Sequence, residues 1–134
     1  MTVEKAPALK GKDLVGIRDR EAGEIQLILD TAEELLDIAR RPIKKVPTLR
    51  GRTVVHLFME PSTRTKTSFD VAAKRLSADT FAVGGSSSAT SKGETLLDTA
   101  RNVEAMRPDV VILRHRHPGS CKLLADRIDC AVVN

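Results

Sequence analysis

The 134-residue chain is predicted to fold as a three-layer α/β/α domain around a central parallel sheet, and three observations carry that prediction. Short, almost uninterrupted apolar runs recur at residues 53–58, 80–83, 110–113 and 130–133, each the length of a strand buried on both faces. Between them lie segments whose apolar residues return at helical spacing. The polar turns 60–67, 84–92 and 114–119 each follow a strand. Right-handed crossovers carry such turns to one edge of a parallel sheet, outside the carboxyl ends of the strands, where open α/β sheets bind ligands.

Composition narrows the function classes. The length is that of one domain, and 41% hydrophobic with 30% charged residues is an ordinary globular mixture. There is no Trp or Tyr, so stacking on bases is nearly excluded. Lys and Arg number 22 against 18 Asp and Glu, but the excess of +4 is spread without a basic block. That pattern suits a small anion better than a nucleic acid. No apolar stretch reaches membrane-spanning length and no targeting segment is evident, so a soluble, intracellular protein without a membrane partner is expected. Cys121 and Cys130 are then expected as free thiols, and they lack a second pair for zinc.

In chain order, residues 1–20 read as an ordered arm with a loose start, in which Asp13-Leu14-Val15-Gly16-Ile17 is a candidate docking piece. From 21 to 41, Ile25, Ile28, Leu29, Ala32, Leu35, Leu36 and Ala39 mark one face of an amphipathic helix stopped by Pro42. Residues 43–52 are a basic connector, read as solvated surface. After the strand at 53–58 and its turn, Phe69, Ala72, Ala73 and Leu76 mark a second helix. The Gly/Ser stretch 84–93 has no means of packing itself and is expected to be mobile until something binds. A helix is expected at 94–106 with Leu96, Ala100 and Val103 inward, opened by a capping box of Ser91 and Glu94. A last helix, 118–127, leads to the strand at 130–133.

The chemistry concentrates in Phe58-Met59-Glu60-Pro61-Ser62-Thr63-Arg64-Thr65-Lys66-Thr67-Ser68-Phe69. A strand that feeds a helix through a short polar turn points the unpaired N–H groups of the first helical turn, and the positive end of the helix dipole, at one spot. Ser62, Thr63 and Thr65 add hydroxyls, and Arg64 can grip a phosphate bidentately. The plainer reading is a Ser/Thr helix cap beside a solvated arginine. Arg114, at the end of a buried strand, supplies a second guanidinium to the same crevice. Capping accounts for Ser91 and Glu94 but not for Lys92, a third candidate cation. No Walker pattern Gly-x-x-x-x-Gly-Lys-Ser/Thr occurs, which disfavours nucleotide hydrolysis. His115 and His117 lack a third metal ligand and read as polar loop residues, His115 as a structural one; His56, inside a strand, reads as a satisfied core histidine. No nucleophile triad or carboxylate pair stands out, so any reaction must work by positioning and charge.

Ser62-Thr63-Arg64-Thr65 followed by Ser68-Phe69 resembles the carbamoyl phosphate motif of the aspartate and ornithine carbamoyltransferases. Ser91-Lys92-Gly93-Glu94-Thr95 followed by Asp98-Thr99, and Arg114-His115 after its strand, resemble the aspartate branch. The resemblance implies transfer of a carbamoyl group from carbamoyl phosphate to the amine of L-aspartate, with phosphate leaving and no metal or organic cofactor. It implies that Ser62, Thr63, Arg64 and Thr65 hold the phosphate while Thr65 and Arg114 polarise the carbamoyl oxygen. It further implies a cytoplasmic homotrimer in which Ser88 and Lys92 act in the neighbouring subunit's site. Regulatory chains and a dihydroorotase partner occur among such relatives, and nothing in these residues tests for them.

The resemblance also implies what these 134 residues do not contain. The family's His-Pro-Thr-Gln motif and its aspartate-binding domain are absent, so residues 1–134 are read as the carbamoyl phosphate-binding domain alone, expected to bind without turnover. Ornithine carbamoyltransferase and a non-catalytic anion-binding or assembly module remain the alternatives.

Overall fold

The structure is a computed structural model that describes residues 8–84 and 95–134. Helix α1 (Ala22–Ala39) is followed by β1 (Thr53–Phe58), α2 (Thr63–Arg75), β2 (Asp79–Val83), α3 (Leu96–Glu104), β3 (Val110–Arg114), α4 (Ser120–Arg127) and β4 (Ala131–Val133). The four strands form one sheet in the order β2-β1-β3-β4, and every pairing is parallel. The predicted architecture holds, with element ends moved by a few residues.

Strand alternation explains the layers. Val55 and Leu57 of β1 join Val111, Leu113, Val132, Ala100 and Leu124 in a core under α3 and α4. Val54 and Phe58 point the other way and pack with Ile112 and Ala73 under α2. The chain leaves β1 toward β2 on one side, then returns past β1 to β3 on the other. The strand order therefore reverses between β1 and β3, which opens a crevice at their carboxyl ends.

The arm behaves as a docking piece. Leu14 forms a parallel bridge to Val133, its N–H donating to the Val132 carbonyl at 2.8 Å, and Asp13 Oδ1 accepts from Val132 N at 2.9 Å. The buried Glu24 carboxylate fastens the arm to α1, accepting from Lys10 N, Glu21 N and Arg20 Nη1. Those bonds, the backbone ones first, hold its carboxyl down at about 2 against an ordinary 4.5. A group depressed in this way stabilises the fold above its ordinary value, and that contribution is lost as the pH falls from 4.5 toward 2. Glu24→Gln is expected to remove this part of the acid unfolding profile, measured as the thermal midpoint against pH. An unchanged profile would mean the clamp adds no stability.

One expectation is extended and two are corrected. The apolar stripe forms helix α1 as expected but is largely open among the described residues, with Leu29 58% and Leu36 47% exposed; Leu14, Val15 and Ile17 of the arm line a groove with Ile25 and Ile28, and Ala72 and Leu76 line another with Leu35 and Ala39. Helix α3 begins at Leu96, not 94, and its capping box is Thr95 with Asp98: Asp98 N donates to Thr95 Oγ1 at 3.1 Å. The expected box of Ser91 and Glu94 lies outside the described residues, as do Ser88 and Lys92. Finally, His56 is buried but not satisfied, since neither ring nitrogen has a hydrogen-bond partner.

Gly84 closes β2 at φ +123°, and a Cβ there would lie 2.2 Å from the Phe58 carbonyl oxygen. The β2 and β1 ends can approach this closely only without a side chain. Gly84→Ala is expected to destabilise the fold by about 1–3 kcal/mol from backbone strain alone. Chemical denaturation measures this, and an unchanged midpoint would show that the strand end relaxes freely.

Candidate functional site

The crevice is built by the turns that leave β1 and β3. Phe58 pairs with Arg114 in register, and Met59 N donates to the Arg114 carbonyl at 2.9 Å, so the two strand ends are joined as the chain turns into α2. Helix α2 starts at Thr63 with Ser62 as N-cap, and the Ser62 side chain makes no capping bond. Its hydroxyl is thus not consumed by the cap, which was the plainer alternative for this motif. The Ser62 carbonyl accepts from Lys66 N at 3.0 Å, leaving the first-turn N–H groups without intrahelical partners. No acidic residue occupies that first turn to neutralise it.

Ser62 and Thr63 line a groove of about 630 Å³ between α2 and the edge strand β2. Its floor includes His56, and its walls carry Glu60, Lys66, Asp70 and Lys74. Arg64 is exposed and lies on the other flank of α2, lining a shallower depression with Thr67, Ser68 and Arg75. Thr63 and Thr67 border both. Thr65 is half-buried. Arg114 is 44% exposed at the side chain, and its Nε lies 3.5 Å from Glu60 Oε2, a solvent-screened pair of small worth that holds the guanidinium near the α2 turn. The structure therefore brings the Ser62–Thr65 stretch and Arg114 to one edge of the sheet.

The β3–α4 turn is set by His115. Its Nδ1 accepts from His117 N at 3.1 Å and lies 3.0 Å from Ser120 Oγ, next to Gly119 at φ +83°. Gly119 offers no capping side chain, and the imidazole instead ties the turn together through His117 N and Ser120 Oγ. Burial first, then His117 and Arg116, lower the His115 pKa, and the neutral ring is the form that can accept at Nδ1. Cys121 and Cys130 are both free, and burial raises both thiols, which makes them poor nucleophiles. Among the described residues no three His, Cys, Asp or Glu side chains converge on a metal position, and no helix is long and apolar enough to cross a membrane.

Sequence reasoning passed over Glu60, Lys66, Asp70 and Lys74. Lys66, Asp70 and Lys74 follow one another at four-residue spacing, a pattern that places them on one helix face and could have flagged the groove wall.

A parallel α/β sheet with a hydroxyl-rich helix start at its switch point defines a domain for binding small anions. Residues 12–134 match the family described as aspartate/ornithine carbamoyltransferase, carbamoyl-P binding domain, and the chain belongs to that family. It is 58% identical over 123 residues to an aspartate carbamoyltransferase catalytic subunit of Desulfotalea psychrophila, covering 92% of this chain and 39% of the relative. It is 57% identical over 127 residues to that of Geotalea uraniireducens, covering 95% and 41%. The chain thus spans about 40% of the length of these relatives. The catalytic subunit of M. jannaschii aspartate transcarbamoylase superposes with a TM-score of 0.81 at 32% identity, over 92% of this chain and 40% of that one. The Trypanosoma cruzi aspartate transcarbamoylase in complex with carbamoyl phosphate and aspartate gives 0.83 at 27% identity, over 94% and 39%.

Proposed function

We propose that this chain binds carbamoyl phosphate as the N-terminal part of an aspartate carbamoyltransferase catalytic chain, in the pyrimidine biosynthetic pathway. The observation that carries the reading is the α2 start: Ser62 with a hydroxyl not used in capping, unpaired first-turn N–H groups and no acidic side chain in that turn, at the same sheet edge as Arg114, which pairs with Phe58 at the end of β1. Ser62, Thr63, Arg64 and Thr65 hold the phosphate. Thr65 and Arg114 meet the carbamoyl oxygen, where negative charge grows as the aspartate amine attacks the carbonyl carbon and phosphate departs. The step needs oriented donors rather than a metal or organic cofactor. The aspartate branch, rather than ornithine, is supported by the Ser91-Lys92-Gly93-Glu94 motif and by the names of the relatives. Ser88 and Lys92 act from a neighbouring subunit in a cytoplasmic homotrimer, with aspartate held by residues beyond these 134 and with regulatory or dihydroorotase partners as further assembly options.

The test is calorimetric titration with carbamoyl phosphate. A charge-assisted hydrogen bond is worth about 1.5–3 kcal/mol, so Arg64→Ala is expected to weaken binding at least about tenfold with the fold intact. Unchanged affinity would remove Arg64 from the seat, and absence of binding by the unaltered chain would favour a module that has kept the fold without the ligand.

A further inference from the structure

Beneath the helix start lies a polar group that the carbamoyl phosphate chemistry does not use. His56, in the middle of β1, is 1% exposed and lines the floor of the α2–β2 groove with both ring nitrogens unpartnered. Its Nε2 lies 3.5 Å from Asp70 Oδ1, within reach of an ion pair if the ring is protonated but long for a neutral hydrogen bond. The Asp70 carboxylate is itself fixed, Oδ1 accepting from Thr80 Oγ1 at 2.7 Å and Oδ2 from Lys74 Nζ at 2.8 Å. Asp70 therefore ties α2 to β2 while facing β1. The charged groups around the ring are Asp70, Lys66 and Lys74 from α2 and Glu60 from the preceding turn. On its flanking strands, His56 has Ala82 of β2 and Ile112 of β3 as register partners, neither of them titratable.

We propose that His56 and Asp70 are a positioning pair for the anion seat: a dianion at the start of α2 makes His56 take a proton from solvent, and the protonated ring closes on Asp70, fixing α2 against the sheet. The proposal rests on the reading of that helix start as an anion site. Burial, with Lys66 and Lys74, otherwise keeps the ring neutral, and Asp70 opposes them. A dianion close to Lys66 and to the positive end of the helix offsets those cations. By linkage, the factor by which the anion strengthens proton binding is the factor by which the proton strengthens anion binding.

Sulfate is the probe, because it is a tetrahedral dianion that does not titrate over the range of about pH 5 to 8 where histidine does. The His56 ring resonance of the 134-residue chain, assigned by its loss in a folded His56→Asn variant, is followed against pH with and without saturating sulfate. The expected result is a midpoint higher by about half a pH unit or more with sulfate. Sulfate affinity is expected to rise about threefold on acidification beyond any rise in His56→Asn. Asp70→Asn keeps an acceptor for Thr80 but loses the charge, and is expected to lower the His56 midpoint with and without sulfate. Sulfate that binds while the His56 midpoint stays put overturns the pair alone. Failure of sulfate to bind overturns the anion seat, and the pair with it.

Discussion

Incubated with carbamoyl phosphate and L-aspartate, the 134-residue chain is expected to form no carbamoyl aspartate above background, and turnover is expected only when the remaining length of a relative is fused or supplied. The proposed phosphate seat and Arg114 lie within the chain, and in the proposed reading aspartate is held by the part of the longer relatives that this chain does not span. Holding two reactants in line contributes an effect that can reach about 7–11 kcal/mol, and a chain that seats one reactant forfeits most of it. The assay is product formation by a preparation whose intact mass matches residues 1–134 alone. Robust turnover by that preparation would place aspartate binding inside this chain.

In the complemented protein, Arg114→Ala is expected to lower kcat by about 100- to 1,000-fold, the range seen when one donor to a developing oxyanion is removed. Arg114→Lys should recover little, because a point charge cannot reproduce the planar fork of a guanidinium. The thermal midpoint should hardly move, since the Arg114–Glu60 pair is exposed and screened. A loss confined to KM would assign Arg114 to ground-state binding instead of to the charge that grows on the oxygen.

Much of the fold was legible because buried parallel strands and amphipathic helices have different periods. The runs around Val55, Val111 and Val132 are apolar on consecutive residues, as strands covered on both faces must be. The helix 63–75 was legible from Phe69, Ala72 and Ala73. Helix ends were less so. Thr95 and Asp98 satisfy the same capping rule as Ser91 and Glu94, and local sequence does not rank two valid caps four residues apart. The stripe on α1 correctly announced a helix, yet its period says only which face is apolar, not whether anything covers it.

The same division runs through the site. Local sequence was enough to establish that a strand turns at Pro61 into a helix beginning among hydroxyls and an arginine, because turn chemistry and helix-end electrostatics act over a few residues. It also implied that this turn and Arg114 share one edge, since parallel strands joined by right-handed crossovers leave no other arrangement. The strand order β2-β1-β3-β4 belongs to the assembled sheet, and with it the placement of Arg114 directly beside Phe58 and against Glu60. So does the state of His56: in isolation it is one histidine in an apolar run. Long-range packing alone buries its ring without a partner, 3.5 Å from a carboxylate fourteen residues away on another element, because burial and charge at a side chain are set by neighbours the local sequence does not name.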